Sequence, residues 1–278
     1  PAGVNIQVMY YNRDLFDARG ASDPKTGWTW DDFLLAATAT SDPEAGVFGY
    51  GSASHSLAAL TFIYQHGGRL IDDLQNPTRA TFDDPRTIEA LEWYARLIHD
   101  YNVSPTPEQA GATYGGDAMR RFYYGVFAGR VAMWIDWFSE RGGVSWDREW
   151  PMRWGMAPLP REAGAATLLY SEAYVISAST HHPEACWQWI EFLSHQTSPR
   201  LVPARRSVAE SAEFERLVGA ETAATVRASM EHVLLLSPQI LERYTALGPI
   251  LEQAMDEIVS GRSTPLEAMS WAQQEAEK

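Results

Sequence analysis

The chain has 278 residues, 45% apolar and 21% charged, which fits one large or two small globular domains and not a disordered chain. Its 36 acidic and 22 basic residues leave a net charge of -14. With no Lys/Arg-rich run, it is a poor candidate for nucleic acid or an anionic membrane surface.

The longest purely aliphatic stretch, Val233-Leu234-Leu235-Leu236, is too short to cross a bilayer. The single cysteine, Cys186, cannot form an internal disulfide and is silent on compartment. Aromatics are abundant: 11 Trp, 12 Tyr and 10 Phe. A Trp-rich core accounts for this as well as a site that stacks flat apolar faces on a polar ligand such as a sugar.

In chain order, Val4–Val8 alternates apolar and polar residues and reads as a strand already under way, as in a processed chain or a fragment. Asn12–Gly27 is loop-like. Thr29 with Asp32 predicts a capped helix through Ala37, and Val47–Gly51 a short strand. Leu57–His66 reads as a helix stopped by Gly67-Gly68, and Asp72–Asp84 as turns. Pro85 opens the clearest helix, with Ile88, Leu91, Tyr94, Ala95 and Ile98 on one stripe. A short helix is expected over Met119–Ala128, then a strand buried on both faces over Val131–Asp136. Met152–Leu159 and Leu168–Ser177 are further strands. Pro183 starts a helix with Cys186, Trp189, Ile190 and Leu193 on one face. Met230–Leu236, Ile250–Ser260 and Pro265–Ala276 read as helical, the last capped by Thr264 and Glu267. Strands and helices alternate early and helices dominate late, which argues for an α/β domain with a helical C-terminal portion.

Few motifs carry chemistry. Gly49-Tyr50-Gly51-Ser52-Ala53-Ser54 imitates a dinucleotide fingerprint but lacks its third glycine and a following acidic partner, so a tight turn explains it better. His181-His182 is adjacent and not at helical spacing, a poor metal pair. No metal or cofactor is expected. Asp136 and Glu172 follow or interrupt apolar strands, where carboxylates serve a hydrolase or a sugar-binding site equally well.

Several segments then point to one family. Val8–Phe16 contains Tyr10-Tyr11-Asn12-Arg13-Asp14-Leu15, followed by Thr29-Trp30-Asp31-Asp32 and Gly67-Gly68. Phe82-Asp83-Asp84-Pro85, Phe127-Ala128-Gly129-Arg130-Val131-Ala132-Met133, Gly155-Met156-Ala157-Pro158-Leu159-Pro160, Pro183-Glu184-Ala185 and Pro203-Ala204 come after. In this order they resemble extracellular solute-binding proteins of sugar ABC transporters, the group that includes the maltose-binding protein. Two departures stand out. The part of the family that precedes the Tyr-Tyr-Asn segment, most of its first lobe, is absent here. Ser171-Glu172-Ala173 stands where Gly-Trp-Gly is common.

The resemblance implies a periplasmic-binding-protein-like fold of type II: a two-lobed cleft that closes on a sugar by a hinge. Residues 12–168 and 210–278 would form the second lobe, 171–207 a remnant of the first, and 4–11 a hinge strand. Carried over by position, Asp136 and Trp137 follow the strand after Gly129, His55 precedes a cleft helix, and Tyr170 and Glu172 lie on the return strand. Arg205 lies in the loop returning to the second lobe, and Tyr244 where the family often presents an aromatic. Asp136 is the strongest choice, because a carboxylate after an apolar strand is otherwise costly; the others could be core or surface. The implied protein is non-catalytic, extracytoplasmic and lipid-anchored, and works with two membrane permease subunits. The competing readings are a carbohydrate hydrolase using Asp136 and Glu172, and a fragment that binds nothing. With so little to pack on, the remnant is expected to self-associate or to belong to a longer chain.

Overall fold

The computed structural model describes residues 2–116, 120–146, 148–235 and 238–278. Strand β1 (Gly3–Asn12) is followed by helices α1 (Arg13–Arg19) and α2 (Trp30–Thr40), strand β2 (Phe48–Gly51), and helices α3 (His55–Gln65), α4 (Pro85–His99), α5 (Pro107–Tyr114) and α6 (Arg121–Phe127). Strands β3 (Val131–Trp137), β4 (Trp154–Ala157) and β5 (Thr167–Glu172) precede α7 (Pro183–Ser194), α8 (Arg206–Ala209), α9 (Ala212–Val218) and α10 (Ala220–Met230). Strand β6 (Val233–Leu235), α11 (Pro238–Val259) and α12 (Pro265–Ala276) complete the chain.

The sheet order is β2-β3-β1-β5-β6, with β4 also pairing β1. β1 runs against all its neighbours. Its outer half, Gly3–Ile6, pairs β5, and Gln7–Tyr11 pairs β3. β2 runs parallel to β3, and β6 parallel to β5. Side chains alternate between faces, so two cores form. Met9, Tyr11, Met133 and Ile135 pack with Phe33, Phe62, Leu91 and Met255 on one face. Ile6, Val8, Tyr10 and Trp134 pack with Phe122, Phe214 and Val226 on the other.

The predicted caps are present. Thr29–Asp32 and Thr264–Glu267 both make reciprocal capping boxes. Thr264→Ala is therefore expected to lower stability by about 1 kcal/mol, read as a lower urea midpoint with an unchanged slope. The glycines of the false fingerprint serve packing: a Cβ on Gly49 would lie 1.9 Å from the Ala37 carbonyl oxygen of α2.

Four expectations need correction. Asn12–Gly27 is not all loop. The Asn12 side chain accepts from Asp14 and Leu15 N–H to start α1, and Gly20 at φ 66° ends it. The helix expected over Met230–Leu236 is instead the end of α10 and strand β6, because Val233–Leu235 covers the open edge of β5; Leu236 lies outside the described residues. The strand from Leu168 stops at Glu172, not Ser177. His55 is the first residue of α3, capped by Ser54, and not in the preceding loop. The short helix before Gly129 is present as α6, with Met119 outside the described residues.

The stretch from 173 to 200 is thinly packed. α7 has no buried residue, and Trp187, Trp189 and Phe192 are 60%, 59% and 54% exposed. The chain returns to the sheet through a Val4–Val202 bridge.

Candidate functional site

Because β1 opposes its neighbours, its amino end lies at the same edge of the sheet as the carboxyl ends of β2, β3, β5 and β6. Ligands of open α/β sheets bind outside such carboxyl ends. The chain leaves the sheet here after Gly51, after Trp137 and after Glu172.

Trp137, half-buried, ends β3. Its ring meets Tyr170 edge-to-face, with centroids 4.7 Å apart and planes at 73°. The Tyr10 hydroxyl donates to the Trp137 carbonyl at 3.0 Å from below. Asp136 points to the opposite face, as strand alternation requires. It is 7% exposed; its Oδ1 accepts the Trp137 N–H at 2.8 Å and its Oδ2 the Tyr123 hydroxyl at 3.0 Å. Burial, helped by the nearby Glu140, pushes its pKa up to about 7 against the pull of those two bonds. Tyr123 is raised by burial and by the same carboxylate. Asp136 therefore braces Trp137 from behind.

His55 stands at the same edge, its Nδ1 2.8 Å from the Tyr94 hydroxyl. Desolvation lowers its pKa to about 4, so the ring is neutral at ordinary pH. Glu172 ends β5 and pairs with Arg200 at 3.3 Å. Trp137 and Tyr170 thus meet on one face, with Asp136 behind Trp137 on the other and Glu172 and His55 at the same edge.

The other two do not join them. Arg205 is exposed and donates to Ser194 Oγ at 2.7 Å, at the end of α7. The Tyr244 hydroxyl shares a 2.6 Å hydrogen bond with that of Tyr64. Tyr64 lies at the far end of α3 from His55, about 13 Å along the axis at ~1.5 Å per residue.

The carboxyl pair of the hydrolase reading is also separated. Asp136 is level with Val8 and Glu172 with Gly3, on opposite flanks of β1. That is about 17 Å along the strand at ~3.4 Å per residue, where a glycosidase needs roughly 5–10 Å. Among the described residues no cluster of His, Cys, Asp or Glu could hold a metal ion.

Sequence reasoning missed Asn5, Ser139 and Tyr123. Asn5 and Gln7 gave a signal, as the polar members of an alternating strand, but alternation alone reads them as solvent-facing. They are 0% and 2% exposed.

Residues 1–195 match the model of the bacterial extracellular solute-binding protein family. The chain belongs to this family. The family's name places its members outside the cytoplasm, and among the described residues no helix is long and apolar enough to cross a membrane. The chain is 27% identical over 124 residues to an arabinooligosaccharide-binding protein of Halalkalibacterium halodurans, covering 45% of this chain and 26% of that one. It is 26% identical over 220 residues to a mannitol-binding protein of Pseudomonas aeruginosa, covering 75% of this chain and 48% of that one. The matches thus span about half or less of those relatives' length. Among solved structures, an ABC substrate-binding protein of Listeria monocytogenes in complex with cycloalternan superposes with a TM-score of 0.77 at 19% identity, covering 99% of this chain and 69% of that one. That likeness establishes the periplasmic solute-binding fold for the sheet and helices described above.

Proposed function

We propose that this solute-binding protein captures a sugar or sugar alcohol at the carboxyl edge of the sheet and delivers it to the membrane permease of an ABC importer. The observation that carries this reading is the Trp137–Tyr170 pair, two half-buried aromatics at the edge where the fold places ligands. Sugar C–H faces stack on such rings, and hydroxyls pair with neighbouring polar groups. Binding requires no nucleophile. The family and the ligands named for its relatives agree with this role.

Residues 12–168 and 210–278 form the second lobe in this reading, 171–207 belongs to the first, and 4–11 is the hinge strand. Trp137, Tyr170, His55 and Glu172 make up the near wall of the cleft, with Asp136 buried behind it. Arg205, on the other lobe, reaches it only through lobe closure, and Tyr244, held to Tyr64 within the second lobe, lies outside it. A lipid anchor holds the protein at the outer surface.

Isothermal titration of the whole encoded chain with mannitol, arabinooligosaccharides and cycloalternan tests the proposal. Saturable binding of at least one, with a matching rise in melting temperature, is the expected outcome. No heat and no thermal shift across the panel removes it. Turnover of a chromogenic glycoside favours the hydrolase reading.

The exposed aromatics of α7 favour one addition, self-association of this 278-residue chain through the 171–207 segment. Light scattering should give a concentration-dependent dimer. A clean monomer that binds no apolar dye excludes it.

A further inference from the structure

Asn5 is fully buried at the amino end of β1. Its Oδ1 accepts the Ser139 backbone N–H at 3.1 Å. Its Nδ2 donates to Ser139 Oγ at 2.9 Å and to the Tyr170 hydroxyl at 2.8 Å. The Ser139 N–H can only donate, which fixes the orientation of the amide. Ser139 follows β3 and Tyr170 lies in β5, strands that flank β1 on opposite sides and do not pair with each other.

We propose that Asn5 is a positioning residue that sets the Trp137–Tyr170 pair for its ligand; this rests on the reading of that edge as the sugar site. An edge-to-face pair alone is too weak to hold two half-exposed rings in one arrangement. A buried amide satisfied on both its ends does hold them, because any displacement of Ser139 or Tyr170 leaves a desolvated polar group unpaired. The bond has a second effect. Tyr170 Oη receives a hydrogen from Asn5, so its own proton is free for an acceptor on the ligand side. Ser139 Oγ, likewise an acceptor from Asn5, donates to Glu140 Oε1 at 3.2 Å. Asn5 thus makes Tyr170 a donor and orients it in one step.

The test uses the whole encoded chain labelled with 5-fluorotryptophan, the Trp137 fluorine resonance being assigned by its loss in Trp137→Phe. In Asn5→Leu that resonance should shift and broaden, and binding of whichever of mannitol, arabinooligosaccharides or cycloalternan the wild type takes should weaken about tenfold. Asn5→Asp keeps an acceptor for the Ser139 N–H, and both hydroxyls can turn to donate to its second oxygen. It should leave the resonance in place. If Asn5→Leu does not fold, the double variant Ser139→Ala/Tyr170→Phe removes the hydroxyl partners at the rim and should move the same resonance. A lower melting temperature with an unmoved Trp137 resonance, in Asn5→Leu or in the double variant, overturns the positioning role. The resonance is read without ligand, so a wild type that binds none of the three compounds sinks the sugar reading while the spectrum still decides the role of Asn5.

Discussion

Trp137→Ala should weaken sugar binding by about 2–3 kcal/mol, or roughly 30- to 150-fold, with a smaller loss of fold stability. Trp137 is the last residue of β3 and only half-buried, packed edge-on against Tyr170. Its half-exposed indole is an apolar surface at the carboxyl edge that a sugar ring could cover, and aromatic side chains in such positions carry much of a binding energy. The strand beneath it does not depend on the indole: Met133, Ile135 and Trp134 anchor β3 in the two cores. Calorimetry and a melting curve on the same variant separate the effects. A large fall in Kd-derived affinity with a melting temperature lowered by a few degrees is the expected pattern. Unchanged affinity with a collapsed melting temperature would make Trp137 a core residue.

Asp136→Asn should stabilise the protein at pH 8 by about 2–4 kcal/mol and remove a fall in stability between about pH 4 and pH 7. Burial raises the pKa of Asp136 in the folded state to about 7, above its ordinary value of 3.8. Between those values the folded protein holds a proton that the unfolded chain has released. Stability from this group is therefore complete below the unfolded pKa and is lost as pH rises through about 7. Asparagine mimics the protonated acid. Its oxygen accepts the Trp137 N–H, and its NH2 donates to Tyr123, whose hydroxyl can also accept. His55 gives the opposite slope. Its pKa is depressed to about 4, so its contribution is complete above the unfolded value and fades as pH falls through that point. Urea midpoints at pH 4.5, 6 and 8, compared for wild type and Asp136→Asn, separate the two. Parallel profiles for the two proteins would mean that Asp136 is ionised in the fold throughout.

Local signals carried the helices that the sequence shows well. Pro85 and the Ile88–Ile98 stripe, Thr29 with Asp32, and Thr264 with Glu267 act within a few residues, so the sequence displays them whole. α1 was hidden because it buries only Phe16, although its cap residues Asn12 and Gly20 stand in plain view. β6 was misread because a short apolar run has no period of its own. Only the unpaired edge of β5, distant in sequence, decides it.

The abundance of tryptophan also divides in a way composition cannot show. Trp28, Trp30, Trp134 and Trp150 are core, while Trp187 and Trp189 are exposed on α7. At the candidate site, the alternation that placed Asp136 next to Trp137 in sequence puts them on opposite faces, one bracing the other. Asn5 was invisible for a related reason. A strand pattern tells which residues share a face, but not whether that face is covered.

A crystal structure of the whole encoded chain with whichever of mannitol, arabinooligosaccharides or cycloalternan it binds tests the central claim most directly. The account predicts a sugar face in van der Waals contact with the Trp137 indole and an oxygen within hydrogen-bond distance of Tyr170 Oη. A ligand seated away from this edge, for example in the cleft of about 890 Å³ beside Trp30 and Trp93 on the outer helices, would contradict it.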